Sequence, residues 1–342
     1  MPANQIPAGA GITIGTGSGF GIAHTSKLPQ RGSSLHPGVG RISGTCAENP
    51  THCPAWLVSR MSRVNQLPAD PALDADWTGI CRRIVEEQKK LFEEYETIEK
   101  RDNYEGVGEG GDHTLVLDRM CEDVIFAELE DLAENGAAAF TAISEERGTV
   151  EFNEGGNAWV VIDPIDGSLN FKRTIPQHSL SIAVATAPNM GAVEFGYVYD
   201  FGTGDEFLAQ SGEGAFLNEE KLNLEPRDGL EVVGVEGSEP ARLVPMLEQL
   251  AGKVYRVRCV GSLAISIASV AAGRFDGLAF PHLSRSVDVA AAQLIAREAG
   301  ALVDLGEGGL SEVGLALEDR FPVTVAASGE GLDTLVAARP VA

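Results

Sequence analysis

The sequence predicts an α+β layer followed by an α/β domain. Two amphipathic helical patterns between residues 76 and 132 precede a run of short apolar strands with glycine-rich turns, the order of an α+β layer with a mostly antiparallel sheet. From about Glu225 onward strands and helices alternate, as in an α/β domain. The stretch before residue 70 shows neither pattern. The chain therefore divides into 1–70, 71–225 and 226–342. Its 342 residues give length for two such parts, and a 44% hydrophobic content supplies a large core.

Residues 1–70 are rich in Gly, Pro and Ser without a sustained period, a composition that buries too little apolar surface to offset chain entropy. They read as a disordered extension, with Met61 as an alternative start. The run Gly15–Gly21 lacks a framing strand and helix and reads as linker rather than nucleotide loop. Cys46, His52 and Cys53 lack a second ligand pair at zinc spacing.

From Asp76, the residues Trp77, Ile80, Ile84, Val85, Leu91 and Phe92 recur at helical spacing. A glycine-rich stretch, Gly106–Gly111, leads to Asp118 and a second helix carrying Met120, Val124, Ile125, Leu129 and Leu132. Asp118 near that helix start is open to two readings, a cap or a catalytic carboxylate. Ala139–Ile143 reads as a strand ending at Ser144, Glu145 and Glu146, followed by a hairpin-like segment, 150–156. Val160–Ile162 reads as a buried strand, stopped by Pro164 and Gly167. The hairpin spacing lets two adjacent strands deliver Glu145 and Asp163 to one edge.

Strands follow at Ser179–Thr186, Gly191–Tyr199 and Gly204–Gln210. The second part reads as strand Val232–Val235, helix Ala241–Leu250, strand Val254–Val257, helix Gly261–Ala272 and strand Phe275–Phe280. A helix from Ser286 to Ala299, ended by Gly300, precedes strands Ala301–Leu305 and Pro322–Ala327.

The formal charge of −24, from 26 basic and 50 acidic residues, argues against a nucleic-acid surface. Five scattered cysteines fit reduced thiols in a cytoplasmic protein. No apolar run approaches a membrane span, and the first residues lack the charged and apolar regions of a signal peptide.

Asp163, Asp166 and Ser168 crowd the end of the 160–162 strand. Carboxylates this close cannot both stay bare, because like charges repel and one would take a proton; a divalent cation removes the conflict. Hard oxygen ligands suit Mg²⁺ and leave room for substrate phosphate. A turn with solvated Asp residues is the competing reading of the Asp-x-x-Asp spacing alone.

Four segments together resemble the inositol monophosphatase and fructose-1,6-bisphosphatase superfamily of metal-dependent phosphatases. They are Gly111-Asp112-His113-Thr114 with Asp118, Ile143–Glu146, Asp163–Ser168 with Asn170 and Phe171, and Val287–Ile295 with Arg297–Gly300. Supporting matches are Gly212–Ala215 with Asn218, Gly261–Ala264, and Ala272–Asp276. The resemblance covers about 75–340 and implies a layered αβαβα sandwich with a metal site between two sub-domains. It implies that Glu145, Asp163 and the carbonyl of Ile165 hold one Mg²⁺, and that Asp163 bridges to a second ion completed by Asp166 and Asp288, with two or three ions per site. An ordinary acid at a helix start is the other reading of Asp288.

Catalytic roles carry over to Glu145, Ser168 and Asp118, with Ser168 paired to Asp118, and phosphate contacts to Asp166, Gly167 and Ser168. The implied reaction is direct attack of activated water, without a phosphoenzyme. Homodimers, Li⁺ inhibition and a place in sugar metabolism such as gluconeogenesis are likewise implied.

The details are similar to the archaeal-type dual sugar/inositol phosphatases, which carry Ser at the position of Ser168. Pro281 matches neither the inositol-binding Glu of the animal enzymes nor an Arg common in the archaeal type. Arg258 and Arg285 match arginines of the archaeal type and are expected to contact a sugar hydroxyl or second phosphate; a surface role is the alternative for each. Tyr197 and Tyr199 either line the pocket or pack the strands. Ser144 stands where the family has Gly. The expected ligand is a small-molecule phosphate ester, with no nucleic acid and no membrane; a 3′-phosphonucleotide and a catalytically silent binding protein are the alternatives.

Overall fold

A computed structural model describes residues 70–109, 113–237 and 239–340. The expectations of a disordered extension, a glycine linker and poor zinc ligands before residue 70 lie outside the described residues.

Helix α1, Trp77–Glu94, starts where Asp76 accepts a hydrogen bond from the Gly79 N–H at 3.0 Å. Its buried stripe is Trp77, Ile80, Cys81, Ile84, Val85 and Gln88. A single turn at Ile98–Arg101 leads to a ribbon absent from the sequence reading: β1, Tyr104–Val107, pairs antiparallel with β2, His113–Leu115. Helix α2, Val116–Glu134, buries Leu117, Cys121, Ile125, Phe126, Leu129 and Ala133. That stripe is rotated from the expected one: Cys121, packed with Ile165 and Phe171, and Ala133 belong to it, while Val124 and Leu132 sit at its margin.

The first large sheet is built from β3 (Phe140–Ser144), β4 (Gly148–Phe152) and β5 (Ala158–Asp166), then, after the short helix α3 (Ser168–Lys172), from β6 (Ser179–Ala185), β7 (Val193–Asp200), β8 (Asp205–Gln210), β9 (Gly214–Leu217) and β10 (Glu220–Lys221). Its order is β10-β9-β8-β7-β6-β5-β3-β4, antiparallel except for the β3–β5 pair. The second sheet comprises β11 (Val232–Val235), β12 (Arg256–Arg258), β13 (Gly277–Ala279), β14 (Leu302–Asp304) and β15 (Thr324–Ala326). Between these strands run α4 (Pro240–Leu250), α5 (Leu263–Ala271) and α6 (Ser286–Ala299), and α7 (Gly329–Ala338) closes the chain. The order is β12-β11-β13-β15-β14, with β11 parallel to both neighbours and β15 antiparallel to both of its own.

Alternation along β5 explains the layering. Val160 and Ile162 pack under α1 and α2 with Leu180, Ile182 and Tyr197, while Val161 faces the opposite way. That opposite face meets α5 and α6, whose far sides reach Leu278 and Val325 of the second sheet. Helices α4 and α7 cover the outer face of the second sheet through Met246, Leu250 and Leu335. The result is the αβαβα sandwich. The central helices are alanine-rich because both sides are occupied by sheet. A Cβ on Gly196 would lie 2.6 Å from the Ala291 carbonyl oxygen, so β7 and α6 touch where only glycine fits.

Tyr197 and Tyr199 belong to the α1-facing core, and the Tyr197 hydroxyl donates to Glu206 at 3.0 Å. A cleft of about 390 Å³ lies there between α1 and the sheet, and Glu145, Asp163, Asp166 and Asp288 are not among its lining residues. Packing accounts for both tyrosines.

Candidate active site

Strands β3 and β5 run side by side in parallel, with Ser144 opposite Ile162, so Glu145 and Asp163 leave the same edge. The β5–β6 register shifts between Asp163 and Asp166, and the Ile165 N–H turns back to Asp163 Oδ1 at 3.0 Å. Gly167 then adopts φ 94°, where a Cβ would stand 3.0 Å from two carbonyl oxygens. From the second half of the chain, α6 brings Asp288 to the same place at its first turn. Carboxylate oxygens of Asp163, Asp166 and Asp288 lie within 4.8 Å of one another.

Asp166 is fixed across the two halves of the sandwich. Its Oδ2 accepts from the Ser262 hydroxyl and from the Ala264 N–H (2.7 Å), and its Oδ1 from the Leu263 N–H (3.3 Å), all at the start of α5. Glu145 is held differently, by the Arg285 guanidinium at 2.7 Å. Arg285 also reaches Asp288 at 3.1 Å through Nη2 and 3.3 Å through Nε.

Burial, then the charges of Glu145, Asp166 and Asp288, push the Asp163 carboxyl well above the usual range. Burial, only partly offset by Arg285, raises Glu145 to about 7. Burial followed by the Asp288 charge raises Asp166 to about 7 despite its donors. Burial works against the charge of Arg285, but Asp288 and Glu145 outweigh it and the guanidinium is more basic than usual. Three converging carboxylates under this strain form an all-oxygen donor set that could hold a metal ion.

The remaining expected residues are placed less simply. The Ser168 hydroxyl donates to the Ile165 carbonyl at 2.9 Å, three residues back, so the expected Ser168–Asp118 hydrogen bond is not formed. Asp118 Oδ2 accepts from the Leu115 N–H at 3.3 Å, as a cap would, while Oδ1 is buried without a partner among the described residues. Burial and the charges of Glu146 and Glu145 raise its carboxyl. Arg258 is exposed, and its guanidinium donates to the Val257 carbonyl at 2.9 Å. No ion pair joins Arg258 to the carboxylates among the described residues, whereas Arg285 is bonded to two of them.

Supporting residues escaped the sequence reading. Fully buried Glu122 accepts from the Ser144 hydroxyl at 2.5 Å and the Arg147 N–H at 3.0 Å, bracing the turn that carries Glu145. Ser144, the departure from the family's Gly, thereby has a partner. Glu236 accepts from the N–H groups of Val260 and Gly261 at 2.7 and 2.8 Å and from the Ser266 hydroxyl at 2.7 Å, holding the loop that presents Ser262. A Ser before a small-residue helix was the available signal for Ser262; the two glutamates gave none, because their partners lie on other elements.

A five-layered sandwich thus carries an acidic corner where the end of β5 meets the start of α6. The profile of the inositol monophosphatase family matches residues 79–339, and the chain belongs to that family as a phosphatase hydrolase. It is 32% identical over 245 residues to the fructose-1,6-bisphosphatase/inositol-1-monophosphatase of Methanothermobacter thermautotrophicus, covering 68% of this chain and 85% of that one. To the protein of the same name from Thermococcus kodakarensis it is 31% identical over 269 residues, covering 78% and 98%. A crystal structure of an inositol monophosphatase–fructose 1,6-bisphosphatase superposes with a TM-score of 0.68 at 29% identity, covering 77% of this chain and all of that one.

Proposed function

We propose that this chain is a Mg²⁺-dependent phosphomonoesterase that hydrolyses a sugar or inositol phosphate, fructose-1,6-bisphosphate or inositol-1-phosphate or both. The convergence of Asp163, Asp166 and Asp288 beside Glu145 is the observation that carries this reading. Those four carboxylates and the Ile165 carbonyl would hold the ions, which supply neutralisation of the phosphoryl oxygens and a more acidic water. The chain's own groups do the rest. Backbone N–H groups of Gly167 and Ser168 take phosphate oxygens, and Ser168 with Glu145 orients a water on phosphorus and accepts its proton. Asp118, whose Oδ1 is buried without a partner among the described residues, would pair with the Ser168 hydroxyl. The water oxygen bonds to phosphorus, the ester oxygen leaves with the electron pair, and a proton returns to it. Arg258 would select the substrate from outside. The family resemblance supports a homodimer working in the cytoplasm on small molecules.

The test is Mg²⁺-dependent phosphate release from inositol-1-phosphate and fructose-1,6-bisphosphate, with Asp163→Asn as control. Release from neither ester, but from a 3′-phosphonucleotide, would move the substrate class. No release from any ester would leave a binding protein.

A further inference from the structure

The four carboxylates of the site are not bonded alike. Asp163, Asp166 and Asp288 offer oxygens within 4.8 Å of one another, and Glu145 stands outside that group. Glu145 instead binds Arg285 Nη1 at 2.7 Å. The same guanidinium reaches both Asp288 oxygens, Oδ1 from Nη2 at 3.1 Å and Oδ2 from Nε at 3.3 Å. The Arg285 backbone N–H also points to Asp288 Oδ2, at 3.3 Å. The side chains of Arg285, Glu145 and Asp288 are 18%, 12% and 15% exposed, so the fork is largely shielded from water. Arg285 thus pairs with two of the four carboxylates, Glu145 and Asp288.

A planar guanidinium is always charged and matches two carboxylates at once, so it holds them firmly. It also takes up acceptor sites on Glu145 Oε1 and on both Asp288 oxygens, and its charge repels a dication at this range. We propose that Arg285 is a tethered counter-cation that competes with divalent metal for Glu145 and Asp288, setting metal affinity below what the carboxylates alone would give. Metal entry then works against the guanidinium's charge and its hold on the two carboxylates. Arg285 is in this sense a positioning residue: it ties Glu145 to Asp288 and offsets their mutual repulsion. The inference rests on the metal-dependent reading of the site.

Calorimetric titration of the chelator-stripped full-length protein with MgCl₂ tests it, using wild type, Arg285→Gln, Arg285→Lys and Asp163→Asn. Arg285→Gln is expected to lower the thermal midpoint in EDTA, to bind Mg²⁺ at least tenfold more tightly, and to show a larger midpoint rise on adding Mg²⁺. Arg285→Lys keeps the charge but loses the fork, and a few-fold tightening is expected. A role in packing alone would weaken Mg²⁺ binding or leave it unchanged, and either result in folded Arg285→Gln overturns the proposal. Should that variant fail to fold without metal, unchanged or weaker binding by Arg285→Lys does so. If wild type binds Mg²⁺, Asp163→Asn does not, and the Arg285 variants match wild type, this inference falls while the metal site stands. If wild type binds no Mg²⁺, both fall.

Discussion

Asp166 and Glu145 are both carboxyls pushed to about 7, yet they are restrained in opposite ways. Asp166 is locked by a hydroxyl and two backbone N–H groups of α5, donors that cannot leave. Glu145 is gripped by one long side chain that can. One corner thus combines a rigid anchor, which joins the two halves of the sandwich, with a movable arm on the β3 turn. Burial alone does not distinguish them. The identity of the donors does.

Experiments can break or sharpen that contrast. Asp163→Asn, which removes the carboxylate between anchor and arm, is expected to lower phosphate release by about 10³-fold or more while the metal-free protein stays folded, because burial and its neighbours already hold this carboxyl toward its neutral form. Ser262→Ala strips a hydroxyl from the anchor. It should weaken metal affinity by about 10–100-fold by calorimetry and cost about 1–2 kcal/mol of stability in urea. Glu122→Gln loosens the arm's turn instead, and a loss of about 1–3 kcal/mol is expected with a smaller change in metal affinity.

pH separates the groups by sign. Folded-state values of Glu145 and Asp166 are raised, so the stability they contribute to the metal-free protein is present at acid pH and lost as pH rises through about 7. Mg²⁺ binding near pH 7 should therefore release protons, seen as a buffer-dependent heat. His178 has the opposite sign: burial, then Arg101, lowers it to about 4, so stability falls as pH drops from about 6.5 toward 4. A His178→Gln variant should lose that acid limb. The smallest effect is expected for Arg258→Ala, within about 0.5 kcal/mol of wild-type stability, with any change confined to KM.

The part of the carboxylate corner on β3 and β5 was legible because its cause is local, whereas Asp288 came with the family resemblance. An apolar run broken by Asp163, Pro164, Asp166 and Gly167 can hardly be other than a strand end, and the hairpin length brought Glu145 to its side. The αβαβα layering likewise came from periodicity together with family resemblance. What stayed hidden is long-range: Ser262 on Asp166, Ser144 on Glu122 and Arg285 on Glu145 each join different elements. A matching arginine in the family pattern pointed Arg285 toward substrate, and only the packed geometry sets it against its own carboxylates. The β1–β2 ribbon hid in a glycine-rich stretch with no alternation to betray it.

The contact of Gly196 with the Ala291 carbonyl bears on more than packing. Helix α6 is a shim whose thickness is counted in methyl groups, and Asp288 rides on its first turn. One added carbon at Gly196 would press on α6 one turn from Asp288, so the spacing of Asp288 from Asp163 is set by how closely β7 lets that helix approach.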